Sequence, residues 1–243
     1  FMNSLYITGA GVSKQSGIPT FRGQDGFWTI GSTNYKPQEM ATRQMYCNQP
    51  DEFLLWYYQR FVTYKDVPPN RAHYWLADKR LITQNIDGLD GRAGNKSYIA
   101  IHGRLDKVTI FQGQDQHQEL LKAPWEEVAN LKIESEDHAR LKRALLESFK
   151  ISALTKRPEK EVSLKPFILL FDEYYTNLYR MSDAERWMMQ ADKIVFIGTS
   201  FSVNFTSIAL RLGLRNSAVI EIVDPEPVDL GIPSITYHNV TVE

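Results

Sequence analysis

Cysteine is almost absent from this chain: Cys47 is the only one among 243 residues. One thiol cannot close an intrachain disulfide, and it cannot supply the paired Cys-x-x-Cys ligands of a structural zinc site. From Arg104 to Lys165 there is no cysteine at all, and His117 and His138 stand alone, so no metal is expected. Long apolar runs are missing too. No stretch approaches the roughly 20 residues that span a bilayer, so the chain reads as soluble, with no membrane partner. An excess of one charge is also missing, since 28 Lys and Arg stand against 29 Asp and Glu for a net charge of -1. That leaves no broad basic face for nucleic acid or anionic lipid, and any charge preference must be local. A lone thiol fits a reducing compartment, and a cytoplasmic location is the expectation.

What is present begins near the N-terminus. A short apolar run, Leu5-Tyr6-Ile7, ends in Gly9-Ala10-Gly11, which reads as a buried strand turning into a helix whose first amides could hold an anion. Glycine at 9 and 11 would let a pyrophosphate approach the backbone, and Ser13 could add a hydroxyl donor. Gly17-Ile18-Pro19-Thr20-Phe21-Arg22-Gly23 follows, a loop that would place a cation, Arg22, and an apolar wall, Phe21, over a bound ligand.

Further along, Pro50-Asp51-Glu52 opens an aromatic helix with acidic residues in its first turn. Tyr57 and Arg60 are three apart and so share a face; a guanidinium beside a phenol is a receptor for a carboxylate. His73, on a helix from Arg71 to Lys79, is read as structural. The strand Leu81-Ile82-Thr83 ends in Gln84, Asn85 and Asp87, and the last two could bind an amide through its donor and acceptor. After another short strand comes His102-Gly103. An imidazole there, with its ordinary pKa near 6.5, could take a proton from a sugar hydroxyl. Pro166 to Glu173 is a continuous apolar run ending in acid, expected as a buried strand of a parallel sheet. Ile194 to Ile197 leads into Gly198-Thr199-Ser200, repeating the strand-end turn, and Ala218 to Asp224 is the last core strand expected.

Gly-Ala-Gly-x-Ser with Gly-Ile-Pro-x-Phe-Arg-Gly, then Thr-Gln-Asn-Ile-Asp, His-Gly and Gly-Thr-Ser, resemble in order the four motifs of the sirtuins, the NAD-dependent protein lysine deacylases. The resemblance covers nearly the whole chain. It implies NAD as cofactor, held by Gly9, Ala10, Gly11, Ser13, Phe21, Arg22, Gln84, Asn85, Asp87, Gly198, Thr199 and Ser200, and an acyl-lysine protein or peptide as partner. It implies catalysis by His102 with Asn85, and substrate contacts from Phe171 and Val203. Asn85 and Asp87 would line the nicotinamide pocket. The segment from Ala41 to Arg60 is similar to the class that removes succinyl, malonyl and glutaryl groups, with Ala41 widening the pocket and Tyr57 and Arg60 taking the acyl carboxylate.

The chain also departs from the family. The zinc module has no ligands here, Asp172 replaces a glycine, and Asp224 replaces an asparagine at the adenosine end, where a carboxylate can still accept a ribose hydroxyl. The expected fold is α/β: a Rossmann-like parallel sheet with helices on both faces, interrupted by a helical insertion and a second, zinc-free insertion. The boundaries expected are 1-36, 73-103 and 166-243 for the NAD-binding domain, 37-72 for the helical insertion and 104-165 for the segment replacing the zinc module. In that last segment Leu131, Leu141, Leu145, Leu146 and Phe149 are spaced for an apolar helix face. An alternative function uses the same site: an NAD hydrolase or protein mono-ADP-ribosyltransferase, with water or a side chain as nucleophile.

Overall fold

The computed structural model describes residues 2–19 and 35–242, which divide into two compact units. The first takes the described residues of 1–20, 67–102 and 179–243; the second takes those of 21–66 and 103–178. Strand and helix numbers follow the whole chain.

Among the described residues, the first unit is built on six parallel strands. These are β1 (Ser4–Thr8), β2 (Leu81–Thr83), β3 (Ile99–Ala100), β7 (Lys193–Ile197), β8 (Val219–Asp224) and β9 (Thr236–Asn239). Their spatial order is β3-β2-β1-β7-β8-β9, so the chain winds outward in one direction from β1 and in the other from β7. That is the doubly wound arrangement, and its ligand crevice lies at the carboxyl ends of the two central strands, where the winding reverses. Helices α4 (Arg71–Trp75), α5 (Leu89–Arg92), α8 (Met181–Gln190) and α9 (Asn204–Arg215) supply the crossovers and cover the sheet. The strands are apolar on both faces because both are covered: Leu5, Ile7, Leu81, Ile82, Ile194, Phe196, Ile220 and Ile222 are all buried. Each such side chain contributes about 1.5–3 kcal/mol of burial. Helix α4 starts where Asn70 caps it, its side chain accepting the Ala72 amide at 2.9 Å. Strand β8 is not the last of the sheet. Beyond it β9 pairs in parallel, Ile222 against Tyr237, and its short, mostly exposed Thr-Tyr-His-Asn run carries no apolar signal.

The second unit combines helices α1 (Pro37–Met40), α2 (Arg43–Asn48), α3 (Pro50–Tyr64), α6 (Trp125–Ala129) and α7 (His138–Ser148) with a three-stranded antiparallel sheet. Its strands are β4 (Gly103–Ile110), β5 (Leu121–Lys122) and β6 (Leu164–Ile168), in the order β5-β4-β6. Two expectations are corrected here. The apolar run from Pro166 is not in the parallel sheet; β6 lies antiparallel to β4, with Gly103 opposite Ile168 and Val108 opposite Pro166. Burial on both faces produces the same continuous apolar run whichever way the neighbour points. The segment after Arg104 is also not purely helical, since it opens with β4, where Leu105 and Val108 face inward while Arg104 and Asp106 pair on the outside at 2.7 Å. Four of the five expected apolar helix positions are buried, Leu141, Leu145, Leu146 and Phe149, but Leu131 is exposed in the turn before α7. Trp125 packs at a tilt against Phe149, with ring centroids 4.6 Å apart, and joins α6 to the end of α7.

Candidate active site

In the first unit, the strand-end turns meet at the switch point. A Cβ on Gly9 would lie 2.8 Å from the Gly198 carbonyl oxygen, and one on Gly11 would lie 2.7 Å from the Gly198 Cα. Gly198 itself is left-handed, with φ +64°, and a Cβ on it would meet the Val12 nitrogen at 2.7 Å. These glycines are therefore required because two turns pack backbone to backbone. The amides follow the same logic. Gly9 N–H donates to Ile197 O, Gly11 N–H to Gly198 O and Val12 N–H to Gly9 O, so three amides of the turn are already committed. Ala10 opens a 3₁₀ helix that runs to Ser16.

Ser13 is buried, and its hydroxyl donates to Asp87 Oδ2 at 2.6 Å. Behind it lies His73, whose Nδ1 accepts the Asn70 amide at 3.0 Å. The neutral ring then carries its hydrogen on Nε2, 3.4 Å from Ser13 Oγ. Burial lowers the His73 pKa, against the opposing pull of Asp87, which favours that neutral form. His73 thus steers Ser13 toward Asp87.

Strand β2 delivers the amide cluster. Asn85 Nδ2 donates to Gly9 O at 2.9 Å and lies 3.4 Å from Ser13 Oγ, while the Leu89 amide donates to Asp87 Oδ1 at 2.9 Å. Asn85 and Asp87 are thereby brought together on Ser13. Gln84 bridges the two central turns, its Nε2 donating to Thr8 O at 3.2 Å and Thr199 Oγ1 at 3.3 Å. The Thr8 hydroxyl, buried at the end of β1, has no hydrogen-bond partner. Next to β2, at the end of β3, His102 Nδ1 lies 3.1 Å from the Gln84 carbonyl oxygen. A carbonyl only accepts, so Nδ1 bears the hydrogen and Nε2 keeps its lone pair. Burial pushes the His102 pKa down to about 4, opposed by the Gln84 bond, so the ring is neutral at physiological pH. Sequence alone does not show this shift, because the shift belongs to the pocket.

On the other side of the switch point, Gly198 N–H donates to Val223 O, which sets the Gly-Thr-Ser turn beside the end of β8. Ser200 and Ser202 hydroxyls lie 2.7 Å apart at the surface, and Val203 is the extended residue that caps α9. Asp224 closes β8, its Oδ1 accepting the Glu226 amide at 2.9 Å. Phe21 and Arg22 lie outside the described residues.

One acid in this unit is not picked out by any motif. Asp90 is 2% exposed, and its Oδ1 is buried without a hydrogen-bond partner. Burial, aided by the Asp87 charge, pushes its pKa up to about 7. Gly88-Leu89-Asp90 reads in sequence as an ordinary acidic first turn, and only the packing reveals the buried carboxyl.

The second unit holds the remaining site residues. Ala41 ends α1, Tyr57 and Arg60 lie on α3, and Phe171 follows β6. Tyr57 and Arg60 are both buried, which a helix-surface reading would not give. The Tyr57 hydroxyl has no hydrogen-bond partner, and burial raises its pKa. Arg60 lies over the Trp56 ring at 3.6 Å and donates to Trp56 O at 2.7 Å. Desolvation lowers its pKa to about 10. Phe171 presents its ring outward, 50% exposed, while its amide donates to Ala41 O at 3.0 Å. Gly103, which directly follows His102, has φ +88° and leaves room for the Phe167 carbonyl, which a Cβ would meet at 2.0 Å. Glycine after His102 is thus the one residue type that lets β4 approach β6.

A family model for the Sir2 family matches residues 9–205. The chain belongs to the Sir2 family. It is 33% identical over 224 residues to the NAD-dependent protein deacylase 1 of Archaeoglobus fulgidus, covering 89% of this chain and 79% of that protein. Among solved structures it resembles a Sir2 homologue mutant in complex with ADP ribose, at 27% identity and a TM-score of 0.72, covering 98% of this chain and 87% of that one. A Sir2 homologue–NAD complex is similar to the same degree, at 27% identity and a TM-score of 0.70, covering 98% and 84%. Among the described residues no three His, Cys, Asp or Glu side chains gather as metal ligands. NAD does fit, because the sheet reverses between β1 and β7 and both strand ends there carry glycine turns.

Proposed function

We propose that the chain is an NAD-dependent protein lysine deacylase that acts on acyl-lysine peptides and releases nicotinamide and O-acyl-ADP-ribose. The observation that carries this reading is the orientation of His102, whose Nδ1–H is tied to the Gln84 carbonyl, which makes Nε2 the basic nitrogen of the neutral ring. When bound, NAD supplies the ribose carbon that the acyl oxygen attacks as nicotinamide leaves. His102 Nε2 takes the proton from a ribose hydroxyl in the step that follows. Asn85 and Asp87, joined through Ser13, hold the nicotinamide amide. The turns at Gly9–Gly11 and Gly198–Ser200 receive the diphosphate and riboses, and Asp224 accepts an adenosine-ribose hydroxyl. By the family resemblance, Val203 in the first unit and Phe171 in the second are the candidate acyl-lysine contacts.

The acyl group itself is read from α3. A buried hydroxyl with no partner, Tyr57, and a desolvated guanidinium one turn on, Arg60, form a receptor for an acyl carboxylate, as in succinyl- or malonyl-lysine. In the same reading, 37-72 is the helical insertion, 104-165 stands where the zinc module would be, and Cys47 suits a reducing, cytoplasmic setting.

Mass spectrometry of the products from NAD with acetyl- and succinyl-lysine peptides tests all of this. Peptide-dependent O-acyl-ADP-ribose is expected, falling by about 10²–10⁴ in His102→Ala. Loss of the succinyl reaction alone is expected in Arg60→Met. Because kcat/KM reports the free enzyme, its acid limb should fall as pH drops through about 4, not 6.5. Plain ADP-ribose formed without any peptide would replace the deacylase reading with an NAD hydrolase.

A further inference from the structure

Within the second unit, two segments 129 residues apart are fastened around the start of α2. The Asp172 carboxylate takes both exposed amides of that helix end, Arg43 N–H at 2.6 Å on Oδ1 and Gln44 N–H at 3.1 Å on Oδ2. Thr42 Oγ1 takes the third, from Met45, at 3.0 Å. Beside them the Phe171 amide donates to Ala41 O at 3.0 Å, and Arg43 Nη1 reaches Glu173 Oε2 at 2.9 Å. Arg43 Nη2 also donates to Gln112 O at 2.6 Å.

We propose that Asp172 is a positioning residue for the acyl-lysine substrate, holding Ala41 against the Phe171 main chain and so setting the room for the acyl group. This rests on the deacylase reading and on Ala41 and Phe171 as its substrate residues. A glycine at 172 has no side chain to cap α2, so Ala41 and Phe171 would be joined by their one main-chain bond. With Asp172 present, the helix end, the buried alanine and the outward-facing phenylalanine ring move as one piece. The amides nearby are spent as well. Leu170 N–H donates to Glu173 Oε1, Glu173 N–H to Leu170 O and Tyr174 N–H to Gln114 Oε1. A substrate strand laid along 170–174 therefore cannot use these amides or that of Phe171.

The test compares wild type with Asp172→Gly and Asp172→Asn, using acetyl-, butyryl- and succinyl-lysine peptides. The KM for peptide should rise about three- to tenfold in Asp172→Gly, the scale of one lost cap. The ranking of the three acyl groups should flatten, while the KM for NAD stays within about twofold. Asp172→Asn keeps one acceptor and should recover part of the loss; it carries the test if the glycine variant does not fold. A lowered melting temperature with unchanged peptide KM and unchanged acyl ranking would make Asp172 a helix cap alone and overturn the inference. A wild type that binds and turns over none of the peptides would overturn the deacylase reading, and this inference with it.

Discussion

The two units hold their polar groups in opposite ways. In the first, Ser13, His73, Asn85, Asp87 and Gln84 are neutral or hydrogen-bonded groups linked at strand ends, joined through hydroxyls, amides and backbone carbonyls. In the second, the buried polar cluster is ionic: Lys165 and Glu173 are both almost fully buried, 3.3 Å apart, and Arg43 adds a second cation to the same carboxylate. The contrast has a physical reason. Parallel strand ends converge on one crevice and present backbone carbonyls and amides to side chains there, while short antiparallel strands and helices must be tied by side chains from distant segments.

The largest effect expected from this contrast is in the second unit. Glu173→Ala leaves Lys165 buried without its carboxylate and should cost about 3–5 kcal/mol of stability. Burial already lowers the Lys165 pKa and Glu173 opposes that, so the variant lysine should also lose its charge more readily. Urea unfolding measures the cost; a loss below about 1 kcal/mol would mean that the ion cluster is not what binds this unit.

A smaller effect, of opposite sign, belongs to Asp90 in the first unit. Its pKa rises on folding from 3.8 to about 7, so the protonated carboxyl favours the folded state. That contribution is whole below about 3.8 and is lost as pH rises through about 7. Asp90→Asn, which cannot ionise, should therefore stabilise by about 1–3 kcal/mol at pH 8 and leave stability at pH 4 nearly unchanged. Melting curves at the two pH values decide it, and equal shifts at both would show that the buried charge is not the cause. Smallest of all is the exposed pair Arg104 and Asp106, whose removal by Arg104→Ala should cost less than about 1 kcal/mol in a melting experiment. A larger cost there would mean that surface ion pairs, not the buried cluster alone, hold the second unit.

Much of the first unit is legible from the chain itself. Each of its site segments is a short apolar strand followed at once by its polar residues, as in Thr83-Gln84-Asn85 and Ile197-Gly198-Thr199, so a local pattern locates both the element and the chemistry. Strand β9 escapes such reading because an edge strand with exposed side chains needs no apolar alternation. In the second unit, the α3 aromatic face and the α7 stripe are visible as helical periodicity. The direction of β6 and the capping role of Asp172 are not, because both depend on partners far away in sequence.

Taken by itself, the sequence determined the alternation of strands and helices, the glycine turns at the ends of β1 and β7, and the position of His102 after β3, since these follow from residue types a few positions apart. Only the tertiary structure decided the spatial order of the strands, the tautomer and lowered pKa of His102, the turning of Ser13 toward Asp87, and the burial of Tyr57, Arg60 and Asp90. Those properties arise from desolvation and from contacts between residues 18 to more than a hundred positions apart, and no local run of residues encodes either.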